Sequence, residues 1–459
     1  MNFHGREEEQ RRIAKMLARP NQQVGLVYGR RRVGKSALIK QCLLHTDIPS
    51  VFYECKQTAE QNNVASLAAL ISETYHYPPI AYSSIEEVLG FFFQQALQEP
   101  LILVLDEYPY LRKTIQGMDS ILQSLIDTYA ESSQLKLILC GSYIDVMRSL
   151  LERDNPLFGR VDLTIDLAPM DYFDSALFYP SFSDEDKVRL FSVFGGIPYY
   201  NRLIDESLSV RENILELIAA PGARLENEVD MYLRSEISKL ENANEAFEAL
   251  ARGFSKFSDI LAQSHVSSGP SLSHVLEKLS RMGLVVKQAP INDAHNKKKA
   301  HYRICDQLSL FYFRYVFRYA SQRNVMEPEL FYDRYIEEDF RERFVPFAFE
   351  EVCRQFLVRQ NRRGVLEQPF ERIGRYYYDD PQTRTNGEFD IVTEDPLGYV
   401  FYEAKFKSAP VTERMIQEEI EQVDRTGLAC YRYGFFSRSG FDAEPSERVR
   451  LIELAELYR

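Results

Sequence analysis

The sequence predicts an α/β fold with a parallel sheet in its first half, and three observations carry that expectation. Four mostly apolar segments of five or six residues, at 24–28, 50–55, 101–105 and 135–140, alternate with helical stretches. Most are rich in Val, Ile and Leu without polar alternation, the pattern of strands buried on both faces. The first runs straight into a glycine-containing loop that opens a helix, and the third ends in two adjacent acids.

The remaining elements follow in order. From about 171 to 240 the pattern turns mostly helical and reads as a lid. Segments 245–252, 258–263 and 271–282 read as three short helices. Strand-like pieces at 283–288 and 301–305 flank a polar tip containing Lys297, Lys298 and Lys299. Three helices and a hairpin make a winged-helix pattern. An aromatic helix is expected over 308–319, and a polar break near 321–329. Beyond it come a helix around 344–359 and a β-rich stretch. There, 387–393 and 398–407 alternate on either side of Glu394-Asp395-Pro396-Leu397, which reads as a hairpin.

At 459 residues the chain exceeds one ordinary hydrophobic core, so two or three domains are expected. Its 45% apolar and 27% charged residues are globular values. A net charge of −13 argues against a simple nucleic-acid coat, but not against a local basic groove. Six scattered cysteines form no Cys-x-x-Cys pair or Cys/His cluster, so neither zinc nor a disulfide framework is indicated. The polar, acidic N-terminus is unlike a signal peptide, and no apolar run approaches the roughly 20 residues of a membrane span. A cytoplasmic protein without membrane contact is expected.

The most informative segment is Gly29-Arg30-Arg31-Arg32-Val33-Gly34-Lys35-Ser36, a full G-x-x-x-x-G-K-[ST] match between an apolar strand and a helix beginning at Ala37. Glycines let the backbone wrap a phosphate, N–H groups point inward, and the helix N-terminus adds a favourable dipole. Lys35 is expected on the β- and γ-phosphates, and Ser36 on Mg²⁺. The second half of such a site is the strand 101–105 ending in Asp106 and Glu107. Asp106 is expected to hold magnesium through water, and Glu107 to orient or deprotonate the attacking water. An ATPase needs that activated water, whereas a small-molecule kinase does not. With no Asn-Lys-x-Asp segment for guanine, adenine is favoured.

Phe3-His4-Gly5-Arg6-Glu7, the P-loop, the acidic pair and Leu139-Cys140-Gly141-Ser142 together resemble an archaeal-type ATPase of the AAA+/STAND group. The resemblance implies that Gly5 and Arg6 lie near adenine and that Ser142 is a polar sensor. Asn155-Pro156-Leu157-Phe158-Gly159-Arg160 is similar to a segment carrying a characteristic arginine. Arg160 is then either a finger on a γ-phosphate or a surface salt-bridge partner. If it acts on a neighbour's nucleotide, a homo-oligomer is required. Gly195-Gly196-Ile197-Pro198-Tyr199 resembles the group's lid motif, with Pro198 either closing over the base or merely starting a helix.

The group usually places a winged helix after its lid, which makes 271–282 the recognition-helix candidate. That helix offers only Lys278 and Arg281 as cations, so DNA contact and a packing role both remain open. Near the C-terminus, Glu388-Phe389-Asp390 and Glu403-Ala404-Lys405 form a second constellation, with Glu350 on the upstream helix. Residues two apart on a strand share a face, so Glu403 and Lys405 point the same way, and a hairpin brings Asp390 close. Together they resemble a PD-(D/E)XK nuclease core, with Phe389 in place of the pattern's proline. The resemblance implies that Asp390, Glu403 and Glu350 hold Mg²⁺ or Mn²⁺, and that Lys405 positions the nucleophile.

The expected fold is thus a P-loop NTPase with parallel sheet and helical lid (1–240, lid about 171–240). It is followed by a winged helix (241–320) and an α/β restriction-endonuclease-like domain (321–459). The expected function is an ATP-hydrolysing switch coupled to a DNA-binding or DNA-cleaving domain. The alternative is a STAND-like signalling or assembly scaffold whose nuclease-like domain is inactive.

Overall fold

A computed structural model describes residues 3–78, 80–236, 240–296, 299–380 and 385–459. The chain divides into two compact units, Met1–Pro169 and Met170–Arg459. Among the described residues no helix is long and apolar enough to cross a membrane.

The first unit is built on a five-stranded sheet: β1 (Gln23–Tyr28), β2 (Ser50–Glu54), β3 (Leu101–Asp106), β4 (Leu135–Gly141) and β5 (Leu163–Asp166). The strand order is β2-β3-β4-β1-β5, and every pairing is parallel. Parallel neighbours need crossover connections, which the helical segments between strands supply. Helix α1 (Glu7–Leu17) precedes β1, and the crossovers include α2 (Lys35–Leu43), α3 (Glu60–Tyr75), α4 (Ile85–Gln95) and α5 (Met118–Thr128). All residues of β1, β3 and β4 are buried, which explains their unbroken apolar runs. Leu26, Leu103 and Leu137 meet Leu67, Phe92 and Leu122 in one core. Because the strands run the same way, their C-terminal ends share one edge of the sheet, the usual place for a ligand crevice. Strand β5 escaped the sequence reading: Leu163-Thr164-Ile165-Asp166 is short, and only Ile165 is fully buried.

The second unit begins with the segment expected as a lid, and it is helical: Tyr172–Ala176, Asp184–Phe194, Pro198–Asn201, Val210–Ile214 and Glu228–Glu236 are α-helices. Then come α6 (Leu240–Ala251), α7 (Phe257–Gln263) and α8 (Gly269–Arg281), followed by the antiparallel pair β6 (Val285–Gln288) and β7 (His301–Ile304). This is the expected order of three helices and a hairpin. Lys297 and Lys298 of the expected wing lie outside the described residues. The aromatic segment after the hairpin is helical with a π-turn over Tyr312–Phe317, where Phe313 stacks on Phe247 at 4.7 Å. The expected polar break at 321–329 begins later, because Ala320–Arg323 is helical. Buried Arg323 there caps the carbonyls of Ala219 and Ala220 and pairs with Glu226.

The C-terminal part is β-rich. Helix α9 (Val345–Arg362) precedes β8 (Arg372–Asp380), β9 (Thr385–Asp395) and β10 (Gly398–Lys405). Next are α10 (Glu413–Arg425), β11 (Cys430–Ser437) and β12 (Val449–Glu453). The sheet order is β12-β11-β10-β9-β8, with β8 at one edge. The β9–β10 pair is the expected hairpin, in a register that sets Ile391 opposite Tyr402. Phe389, Val392, Phe401 and Phe435 anchor its core.

Candidate functional site

The ends of β1, β4 and β3 lie side by side at one sheet edge, so the residues that follow them meet. Lys35, first residue of α2, is buried, and its ammonium donates to Gly29 O at 2.9 Å, Arg30 O at 3.1 Å and Ser142 Oγ at 2.9 Å. Burial lowers its pKa, opposed by the nearby Glu107 and Asp106 carboxylates among others. Ser36 Oγ donates to Asp106 Oδ2 at 2.6 Å. Ser142 in turn donates to Glu107, through Oγ to Oε1 at 2.6 Å and through N to Oε2 at 3.3 Å. One continuous network therefore runs from the glycine loop to both acids.

Two backbone features mark the place as built for a ligand. Gly34 has φ of 98°, a conformation that strains any residue with a Cβ, and it brings no side-chain cap to α2. The helix's first amides are thus left for an anion. Glu107 has φ of 53°, in the sparsely populated left-handed region, held there by Tyr108 N donating to Cys140 O at 2.9 Å. The donor set fits the group the sequence implies. A buried ammonium and uncapped amides suit polyphosphate, and a paired hydroxyl and carboxylate suit a hard divalent cation. Around them, Val33 is buried, Arg32 and Ala37 are exposed, and Arg31 donates to Tyr143 OH at 3.1 Å.

The remaining residues expected at this site are placed as follows. Arg6 is buried with φ of 66° and donates to Ala168 O at 2.7 Å, beside Gly5, whose carbonyl accepts from Gln10. Arg160 makes a two-pronged pair with Asp127 at 2.7 and 2.8 Å and also donates to Pro156 O and Phe158 O. A finger role would require that pair to open. Pro198 stands at the start of the short helix Pro198–Asn201, a favourable position because its missing N–H needs no partner there.

The C-terminal constellation assembles in part. Lys405 Nζ lies 2.6 Å from Glu403 Oε1 and 2.8 Å from Glu419 Oε1 on α10. Burial lowers the lysine's pKa, but the two carboxylates outweigh it and the net shift is upward. Asp390, 45% exposed, pairs with Arg375 of β8 at 3.3 Å, and the same guanidinium is 3.5 Å from Glu388. Glu350 on α9 and Asp390 line one cavity with Arg375 and Glu351. Among the described residues no three His, Cys, Asp or Glu side chains stand grouped to hold a metal ion. The acids nonetheless sense one another: burial, then Asp390 and Glu403, push the Glu350 carboxyl up to about 8. Arg375 and Lys405 supply positive charge beside these acids.

That shift has a testable sign. A carboxyl held above its ordinary value of about 4.3 keeps its proton in the fold over a window where the unfolded chain has lost it. Its contribution to stability is therefore highest below that window and is lost as pH rises through about 8. Glu350→Gln is expected to raise the metal-free melting temperature at pH 9 and to leave it nearly unchanged at pH 4. Scanning calorimetry checks this; an equal change at both values would contradict it.

Arg375 and Glu419 were not singled out by sequence reasoning. Arg375 lies in no motif, and Glu419 is one of several acids on the polar face of α10, so neither carries a local signal.

Comparison with known proteins bears on both units. Residues 3–203 match a family described as an ATPase domain predominantly from Archaea, and residues 312–421 match one described as archaeal and bacterial proteins of unknown function. An uncharacterized protein of Methanocaldococcus jannaschii is 26% identical over 411 residues, 88% of each chain. The Walker-type ATPase of Pyrococcus abyssi superposes with a TM-score of 0.52 at 21% identity, over 68% of this chain and 96% of its own. That likeness shows the fold. The Aeropyrum pernix ORC2 protein, in ADPNP and ADP complexes, gives a TM-score of 0.49 at 13% identity, over 70% and 95%.

Proposed function

We propose that this chain, in which an archaeal-type ATPase domain is joined to a C-terminal domain of unknown function, is an ATP-hydrolysing switch whose C-terminal acids form a metal-dependent phosphodiester site. The observation that carries the first half is the network of Lys35, Ser36, Asp106, Glu107 and Ser142 at one sheet edge. Lys35 takes the β- and γ-phosphates, exchanging its carbonyl partners for phosphate oxygens. Glu107 leaves Ser142 to accept a proton from the attacking water. Ser36 and Asp106 would hold Mg²⁺, which would supply charge neutralisation at the phosphates. Ser142, tied to both Lys35 and Glu107, is suited to sense whether the γ-phosphate is present.

In the C-terminal domain, Glu350, Asp390 and Glu403 would hold Mg²⁺ or Mn²⁺, and Lys405 would orient the attacking water or steady developing charge. The α9–β9–β10 arrangement supports a restriction-endonuclease-like reading, and α6–α8 with β6–β7 supports a winged helix. DNA is the substrate this reading implies. Mn²⁺-dependent nicking of plasmid by the full chain is expected, with at least about a 100-fold loss in Asp390→Ala and Lys405→Ala. Equal nicking by all three proteins would remove the cleavage reading.

The ion pairs of Arg375 with Asp390 and Glu388 favour a second reading, a scaffold whose C-terminal acids do no chemistry. Absence of nicking with and without ATP, both by the wild type and by a variant in which the β6–β7 hairpin is loosened, would favour it.

A further inference from the structure

The hairpin β6–β7 is seated on the elements that carry the C-terminal acids. Ile291 N donates to Arg375 O at 2.8 Å, and Arg372 Nη1 donates back to Ile291 O at 2.9 Å. Asn292 pairs with Tyr377 at both its amide ends: Nδ2 donates to Tyr377 O at 2.8 Å, and Tyr377 N donates to Oδ1 at 3.1 Å. These contacts cover β8, the sheet's edge strand, which would otherwise present unpaired backbone groups. The fit is close. A Cβ on Gly374 would stand 2.7 Å from Ile291 Cγ2, so a larger residue there would force the Ile291 side chain to shift.

The hairpin's second strand reaches acids adjacent in sequence to, or two residues from, those of the proposed centre. His301 Nε2 lies 3.0 Å from Glu388 Oε1, and Arg303 Nη2 lies 2.7 Å from Glu351 Oε2. Lys299 stacks on the Tyr377 ring at 3.6 Å and pairs with Asp293 at 3.0 Å, so this tip lysine is engaged within the chain. Gln288 and Arg303 complete the wall of the cavity holding Glu350 and Asp390. That cavity has a volume of about 40 Å³, room for roughly three water molecules. The cavity is partly open to solvent, and the hairpin supplies part of its wall.

We infer that the β6–β7 hairpin is an autoinhibitory cover over the C-terminal acidic centre, and that phosphodiester substrate reaches Glu350 only after the hairpin leaves β8. The inference rests on the proposed reading of Glu350, Asp390 and Glu403 as one centre, and it specifies how that centre is regulated. Its hold is local: the backbone hydrogen bonds and apolar packing of Ile291, the two hydrogen bonds of Asn292, the ion pair of Arg303 and the contact of His301. Glu351 keeps Arg354 as a second partner, so loss of Arg303 does not leave a buried charge unpaired.

The test uses the full chain and the double variant Asn292→Ala/Arg303→Gln, with Asn292→Ala alone as the second variant should the double one fold poorly. Amide hydrogen exchange reports whether the hairpin has loosened. Carbodiimide labelling of carboxyls, read by mass spectrometry, reports access to Glu350, with the exposed Glu342 as internal reference. The expected result is faster exchange over 285–296 and 299–304 and at least a threefold rise in Glu350 labelling, with Glu342 unchanged. Unchanged exchange overturns the proposal, because these contacts then do not hold the hairpin. Faster exchange with unchanged Glu350 labelling overturns it too, because the hairpin then covers nothing. Nicking assayed in parallel bears on cleavage alone: raised labelling without nicking removes the nuclease reading and leaves the cover standing.

Discussion

Glu107→Gln is expected to bind ATP as the wild type does and to hydrolyse it about 10²–10⁴-fold more slowly, the usual contribution of a positioned general base. The amide keeps the shape and can keep two contacts with Ser142, its oxygen accepting from Ser142 N and its NH2 donating to Ser142 Oγ, so the site's geometry is retained. What is lost is the proton acceptor. Lys35, Ser36 and Asp106 are untouched, so nucleotide affinity should stay within about threefold, far less than one lost charge-assisted contact would change it. Phosphate release under steady-state conditions measures the first quantity, and equilibrium titration the second. A variant that turns over at the wild-type rate would remove Glu107 from the chemistry and leave its left-handed backbone without an account.

Lys35→Met should abolish turnover by a different route. Losing one preorganised charge on the phosphates costs about 10²–10³-fold, and here nucleotide affinity falls as well. The nucleotide-free protein, however, should not lose stability. Burial lowers the Lys35 pKa, so the fold disfavours the charged ammonium relative to the unfolded chain. For a lysine shifted this way the cost is present at neutral pH and disappears as pH rises through the folded value toward the unfolded one. Lys35→Met therefore melts at or above the wild-type temperature at pH 7, and its advantage narrows at alkaline pH. A clear fall in melting temperature would mean that the ammonium holds the loop together in its own right.

The parts of the molecule legible in the sequence are those in which neighbours in the chain are neighbours in space. The glycine loop, its flanking strand and helix, and the acid pair each lie within a dozen residues, and their periodicity is unmixed. Ser142 was singled out only by the resemblance of Leu139-Cys140-Gly141-Ser142 to the ATPase group, and it directly follows β4. The β9–β10 hairpin was legible from its turn and from alternation on both sides. What escaped depends on contacts far apart in sequence. Strand β5 is recognised only by its pairing with β1. The partners of Arg375, Glu419 and Arg303 lie 13 to 48 residues away, on other elements. The occupation of Arg160 by Asp127 is likewise a product of folding, since both residues look like ordinary surface charges in sequence. The seat of the hairpin on β8 belongs to the same class: Gly374, Ile291 and Asn292 carry no motif, and only their meeting gives them a role.

The central claim is that residues 29–36, beside Asp106 and Glu107, hold the phosphates of an adenine nucleotide. Titration calorimetry of the Glu107→Gln full chain with ATP and Mg²⁺ tests it most directly, because slow turnover lets the bound state be read. One nucleotide per chain is predicted, with binding lost in Glu107→Gln/Lys35→Met. No heat of binding at millimolar ATP, or equal binding after loss of Lys35, would contradict it.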